Sequence, residues 1–216
     1  MIDSLNKPNK VNKVYEFDNK FLQIHKFIQK FEGRFVNHPS DRGGMTIQGI
    51  ARNFHPDWLG WELIDNLLKE NKSTEEINEI TSKDYHFQNL VTEFYYNKFY
   101  KNFGYDNYDF QLGLALTDST ILFGFKRVSK NLQKIINNYL PQKEHIKVDG
   151  YVGNNSYKAL DKVLQKVTQR EIALALLIER VDDILETVDY RPKNKVFQRG
   201  WLNRVLKVYN LIKRDY

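Results

Sequence analysis

The sequence predicts a mainly α protein with one small β hairpin following its first long helix. Apolar side chains recur three or four residues apart over most of the 216 residues, the spacing of a helix face. Turn-forming residues crowd into one early stretch, Asn37 to Gly49, where that spacing breaks down. A chain of this length, 41% hydrophobic, buries a core without cross-links, which suits a sequence with no cysteine.

Residues 1–12 are polar, with Pro8 and repeated Asn-Lys steps, and are expected to form a flexible N-terminus. Phe17, Phe21, Ile24, Ile28 and Phe31 then mark one face of a helix expected to end at or just after Glu32, with Gly33 as the residue that closes it. From Phe35 to Gly49 an irregular hairpin is expected, and a short helix restarting over Ile47–Phe54. Helical spacing returns near 60–70, 75–80 and 84–102, the last through Phe87, Val91, Phe94, Tyr95 and Phe99. Residues 110–124 read as a strongly apolar helix and 126–140 as an amphipathic one. A turn at Asp149–Ser156 offers Asn154 or Asn155 as the cap of a helix over 156–166. Long helices over 168–187 and 197–213, parted by Tyr190-Arg191-Pro192, complete the chain. The expected organisation is a catalytic region over 13–105 and a helical region over 106–216, packed as one compact unit and acting as a monomer.

The formal charge of +6 and a pI near 9.2 favour an anionic partner: nucleic acid, a membrane surface or an anionic cell-wall polymer. Basic residues are interspersed with acidic ones and no nucleic-acid-binding motif stands out, so no nucleic acid is expected. The longest apolar run, Ile172 to Ile178, is too short to span a bilayer, which argues against an integral membrane segment. No apolar core of a Sec-type signal is visible at the start, so any export is expected to take a dedicated route. The five histidines lack metal-ligand spacing, and no phosphate loop, serine elbow or cysteine nucleophile exists, so neither metal nor cofactor is implied.

Glu32 is the first candidate for chemistry. A carboxylate in the last turn of a helix opposes the negative end of the macrodipole, and Ile28, Phe31 and Phe35 add desolvation. Both effects raise its pKa, which suits a proton donor to a glycosidic oxygen. The alternative is an exposed Glu32 paired with Arg34 or Lys30. Asp41, across the expected hairpin, can face the donor with a sugar between them, and Thr46 can share a water with it; inverting glycosidases hold their carboxyls roughly 6.5–9.5 Å apart for that purpose. Asp41 serves equally well as an Asx-turn residue in Ser-Asp-Arg-Gly. Gly43, Gly44 and Gly49 answer to positive φ or to close approach of substrate. Trp58, Trp61, Tyr95, Tyr96 and Tyr100 sit at spacings that suit a core, with Tyr96 and Tyr100 chosen as cleft-lining candidates; Trp201 reads as packing.

The run from Glu32 to Ile50 resembles the signature of the glycoside hydrolase family 108 muramidases, phage and bacterial endolysins that cut peptidoglycan. Glu32, Gly33, Phe35, Val36, Asn37, Pro39, Asp41, Gly43, Gly44, Thr46, Gly49 and Ile50 all keep the spacing of that pattern. The resemblance continues through Asn131-Leu132-Gln133 and Asp149-Gly150-Tyr151-Val152-Gly153 of a peptidoglycan-binding-like region, and through Gly200-Trp201-Leu202-Asn203-Arg204 of its closing helix. It implies a lysozyme-like fold, bacterial peptidoglycan as substrate and partner, and Glu32 as catalytic acid with Asp41 and Thr46 positioning water. Asn37, Gly43 and Gly44 would lie along the substrate. The chain departs from the pattern at Arg34, which replaces a glycine beside the acid, and an arginine that reached Glu32 would lower its pKa. It departs again at Phe99-Tyr100 and at Ile121-Leu122-Phe123-Gly124, where an asparagine is lost. The expected reaction is hydrolysis of the β-1,4 bond between N-acetylmuramic acid and N-acetylglucosamine. Its rivals are a lytic transglycosylase, which needs the Glu but no water-positioning Asp, and an inert peptidoglycan-binding or structural protein.

Overall fold

The computed structural model describes residues 16–37 and 43–214. The stretch 1–12 lies outside them. Among the described residues the chain forms nine α-helices and one two-stranded antiparallel hairpin, a mainly α fold.

Helix α1 (Asn19–Ile28) starts on Asp18, whose carboxylate accepts from the amides of Lys20 (2.7 Å) and Phe21 (3.4 Å). Its buried face is the expected one, with Phe21, Ile24 and Ile28 fully enclosed. It stops short of expectation, however. After Ile28 the exposed Gln29 and Lys30 have no core to bury against, and the amides of Lys30 and Phe31 reach back only three residues, to Phe27 (3.2 Å) and Ile28 (2.9 Å). Glu32 therefore sits on a bend beyond the helix, and Gly33 is not its left-handed closing residue.

The hairpin is shorter and later than the sequence suggested. Strands β1 (Thr46–Ile47) and β2 (Ile50–Ala51) pair Ile47 with Ile50 and Thr46 with Ala51. The two turn residues, Gln48 (φ 46°) and Gly49 (φ 75°), are both left-handed, the requirement of a type I′ turn. That turn, with Ile47 and Ile50 buried beneath it, is why the helix expected over Ile47–Phe54 does not form. Val36 adds an isolated bridge, exchanging both backbone bonds with Thr46 (2.8 and 2.9 Å).

Helices α2 (Trp61–Lys69), α3 (Thr74–Lys83) and α4 (Tyr85–Tyr95) follow, α3 behind a Ser73–Glu76 capping box. The single helix expected over 84–102 changes gait: Tyr96–Tyr100 is a π-turn and Lys101–Phe103 a 3-10 turn. Helix α5 (Phe110–Phe123) is the centre of the molecule, buried on every side from Leu112 to Thr120 and packed by α1 and by three later helices. These are α6 (Phe125–Tyr139), α8 (Gln169–Tyr190) and α9 (Lys195–Ile212). Helix α7 (Asn154–Leu164) begins on Gly153 without a side-chain cap, so Asn154 and Asn155 lie inside its first turn rather than before it. The Asp149–Gly153 turn is tied down by the buried Gln133. Its carbonyl accepts from the Gly150 amide (2.8 Å), and its amide donates to Asp149 Oδ1 and the Tyr151 carbonyl (both 3.0 Å). None of the helices is long and apolar enough to cross a membrane among the described residues.

Candidate active site

Four elements converge on Glu32. The bend after α1 presents it, the β1–β2 turn caps it, α4 brings Tyr95 beside it, and α9 brings Arg204. Its side chain is 13% exposed. The Arg204 Nη2 stands 3.8 Å from Glu32 Oε1. Arg204 is itself held by the fully buried Asp118 of α5, whose Oδ1 accepts from Nε (2.9 Å) and Nη2 (2.7 Å), and its guanidinium lies over the Phe31 ring at 4.6 Å. The other Asp118 oxygen accepts from Arg180 Nη1 of α8 at 2.6 Å.

Burial raises the Glu32 pKa above the ordinary carboxylate value; Arg204 and the Tyr95 hydroxyl pull it back, and the negative Asp118 pushes it up again. The net direction is upward, as the sequence led us to expect, but for a different reason: Glu32 is past the helix end, so desolvation and not the macrodipole does it. The cation facing the acid also differs. It is Arg204, while Arg34 is exposed on the neighbouring bend. Tyr95 donates to the Gln48 carbonyl (2.8 Å) and lies against the Glu32 carboxylate, so its one proton serves either oxygen. While Glu32 holds its own proton, the two needs do not compete. Behind Tyr95 sits His25, its pKa lowered to about 4 by burial and hence neutral.

Gly49 carries the turn onto the acid. A methyl group there would overlap both the Glu32 carboxylate and the Tyr95 hydroxyl, and the backbone is left-handed. Gly49→Ala is therefore expected to lose about 1–2 kcal/mol of stability from the left-handed Cβ. A displaced carboxylate is expected to lower turnover about 10²-fold. Denaturant unfolding alongside turnover of soluble glycan checks both; a variant with unchanged turnover would show that the turn does not position Glu32.

Glu32 and Tyr95 stand at the junction of two open hollows. One, about 690 Å³, has many polar side chains on its walls, among them Gln29, Arg34, Gln48, Glu75, Asn78 and Gln88. The other, about 570 Å³, is apolar, walled by Phe31, Phe94, Phe99, Leu122, Phe197 and Trp201. A groove passing on both sides of one acid suits a polymer cut in its interior.

Of the catalytic residues expected from sequence, Glu32 is the one that reaches this junction among the described residues. Asp41 lies outside the described residues. Thr46 is half-buried on β1 with its hydroxyl donating to the Gly44 carbonyl at 3.3 Å, and Asn37 is exposed just past the Val36 bridge; neither is among the described residues walling the hollows. The buried Gly43 accepts from the Asn53 amide (3.0 Å), and Gly44 (φ 66°) packs on the Asn53 side chain, which gives the pair a turn-forming role. Neither Tyr96 nor Tyr100 is among the described residues walling the two hollows. They face α1, each with its ring centroid 5.0 Å from that of Phe21, Tyr96 edge-on and Tyr100 tilted, and the Tyr100 hydroxyl donates to Asp18 (2.8 Å). From this segment Phe94, Tyr95 and Phe99 wall the apolar hollow.

Sequence reasoning missed Asn78, Arg204, Asp118 and Arg180, and took Trp201 for packing although it walls the apolar hollow. Asn78 accepts from the Phe35 amide (2.7 Å) and so fixes the chain just after the acid. A signal existed for two of them: Asp118 falls within the strongly apolar helix expected over 110–124, and Arg180 comes two residues after the apolar run Ile172–Ile178, so each had to find a partner once buried.

Residues 25–124 match the family described as Glycosyl hydrolase 108, and residues 127–206 match the Predicted Peptidoglycan domain. Comparison with curated proteins gives no match. Among solved structures, Brucella abortus SagA superposes with a TM-score of 0.58 at 21% identity, over 90% of this chain and 96% of that one, a likeness of fold.

Proposed function

We propose that this chain, whose residues 25–124 match glycosyl hydrolase family 108 and whose residues 127–206 match a peptidoglycan domain, both supporting a peptidoglycan-active lytic enzyme, is an N-acetylmuramidase. It cuts the β-1,4 bond between N-acetylmuramic acid and N-acetylglucosamine. The observation that carries the reading is the Glu32 carboxylate, buried, raised in pKa and placed where the two hollows meet. A protonated Glu32 gives its proton to the glycosidic oxygen as the C1–O bond breaks. Arg204, at 3.8 Å, stabilises the carboxylate that forms. Asp41, with Thr46, orients the water that attacks C1, or Asp41 steadies the oxocarbenium-like sugar. The positive surface concentrates the enzyme on the anionic wall polymer, where it acts outside the cell membrane.

Mass spectrometry of digested peptidoglycan tests the reaction. Fragments ending in reducing N-acetylmuramic acid are expected. Ends carrying 1,6-anhydro sugar would make the protein a lytic transglycosylase, and intact strands with retained wall binding would make it a binding protein.

A further inference from the structure

Helix α9 carries a glycine that its own structure does not call for. Gly200 lies inside the helix, where glycine costs about 1 kcal/mol relative to alanine. Its φ is not left-handed, and a Cβ built on it meets nothing within 4 Å. Neither backbone conformation nor packing asks for the missing side chain. Gly200 instead opens onto the apolar hollow beside Glu32, flanked by Phe197 and Trp201, one helical turn apart with ring centroids 5.8 Å from each other. Phe197 is 57% exposed, an unusual loss of buried apolar area for a ring at the mouth of a cleft.

We propose that this notch is a saccharide subsite: one N-acetylhexosamine ring of the glycan strand lies over Gly200, its apolar face against Phe197 and Trp201, next along the strand from the bond at Glu32. The floor suits such a ring. A pyranose presents C–H groups on its faces, which aromatic planes cover, while its hydroxyl edges need water or polar partners. Glu32 and Arg204 lie on the wall of the same hollow, so a ring seated there is continuous with the reacting sugar. Ile121 and Leu122 add apolar surface to the wall of the hollow. The helix that holds the subsite belongs to the stretch matched by the peptidoglycan domain, which on this account recognises its ligand as a wall of the catalytic cleft.

The inference rests on Glu32 as the acid only for the direction of the strand, and the two are tested apart. Peptide-stripped glycan strands of alternating N-acetylglucosamine and N-acetylmuramic acid are titrated into Glu32→Gln protein, with and without Gly200→Leu or Phe197→Ala, following tryptophan fluorescence and heat. Leu at 200 fills the notch and suits the helix, so its melting temperature is expected to match or exceed that of its parent. Strand binding is expected to weaken about tenfold in each variant, the loss of one stacked ring. In the Glu32 background, KM should rise by the same factor with kcat within about twofold, the mark of uniform binding. Equal affinity in all the proteins would overturn the subsite, as would a Gly200→Leu effect confined to the sedimenting mass, which would make the patch a contact between copies. If Glu32→Gln still cut the strands, the acid assignment would fall while the binding result stood.

Discussion

Glu32→Gln is expected to cut turnover by at least about 10²–10⁴, the usual worth of a positioned general acid, and at the same time to stabilise the fold near neutral pH. The second half follows from the raised pKa. The folded protein holds the Glu32 proton more tightly than the unfolded chain, whose carboxyl titrates near its ordinary 4.5. Stability from this group is therefore complete below about pH 4.5 and declines as pH climbs through the folded value. Glutamine is neutral throughout and escapes that decline. Thermal melts should thus coincide at pH 4 and separate above it, the variant melting higher. A variant that melts lower at neutral pH would mean that Glu32 is ionised and valued there as Arg204's partner. Turnover should fall as pH rises through the same value, since only the protonated acid donates.

Asp118→Ala is expected to be the most damaging change outside the acid. Asp118 is fully buried and is the carboxylate shared by two guanidiniums that are themselves enclosed. Removing it leaves two cations without their anion, a loss of about 3–5 kcal/mol. For a domain of marginal stability this leaves little folded protein at physiological temperature. Urea unfolding at low temperature would measure it. Where enough folded variant survives, the pH–rate profile carries a second reading. With its negative charge gone and Arg204 released toward Glu32, the acid should titrate at lower pH and the falling limb should shift the same way. An unmoved limb would mean that Asp118 serves packing alone.

Much of the fold was legible because helices announce themselves locally. The buried faces of α1 and α6 and the strongly apolar α5 follow from spacing and composition alone, and Asp18, Ser73 and Thr168 cap the starts of α1, α3 and α8. What escaped was set by non-local contact. The end of α1 depends on where the core stops, and the hairpin on a pair of left-handed residues, one of which is not glycine. Glu32 was found from its place in a run of fixed spacings, although the argument from the helix dipole did not survive the shorter helix. That Tyr95 walls the hollows while Tyr96 and Tyr100 face α1 was not legible, because three tyrosines within one helical stretch differ only in rotation, and rotation through a π-turn is not written in apolar periodicity. Arg204 had no local mark as a neighbour of Glu32, since only the docking of α9 brings it there.

The Asp118 cluster also bears on inheritance. Residues 25–124 contribute Glu32 and Asp118, and residues 127–206 contribute Arg180 and Arg204, so the two matched stretches share one set of buried charges across their seam. They cannot be traded as interchangeable cassettes. A second stretch grafted from another source must bring both arginines in register or strand a bare carboxylate, and divergence on either side of the seam is constrained by what the other side keeps.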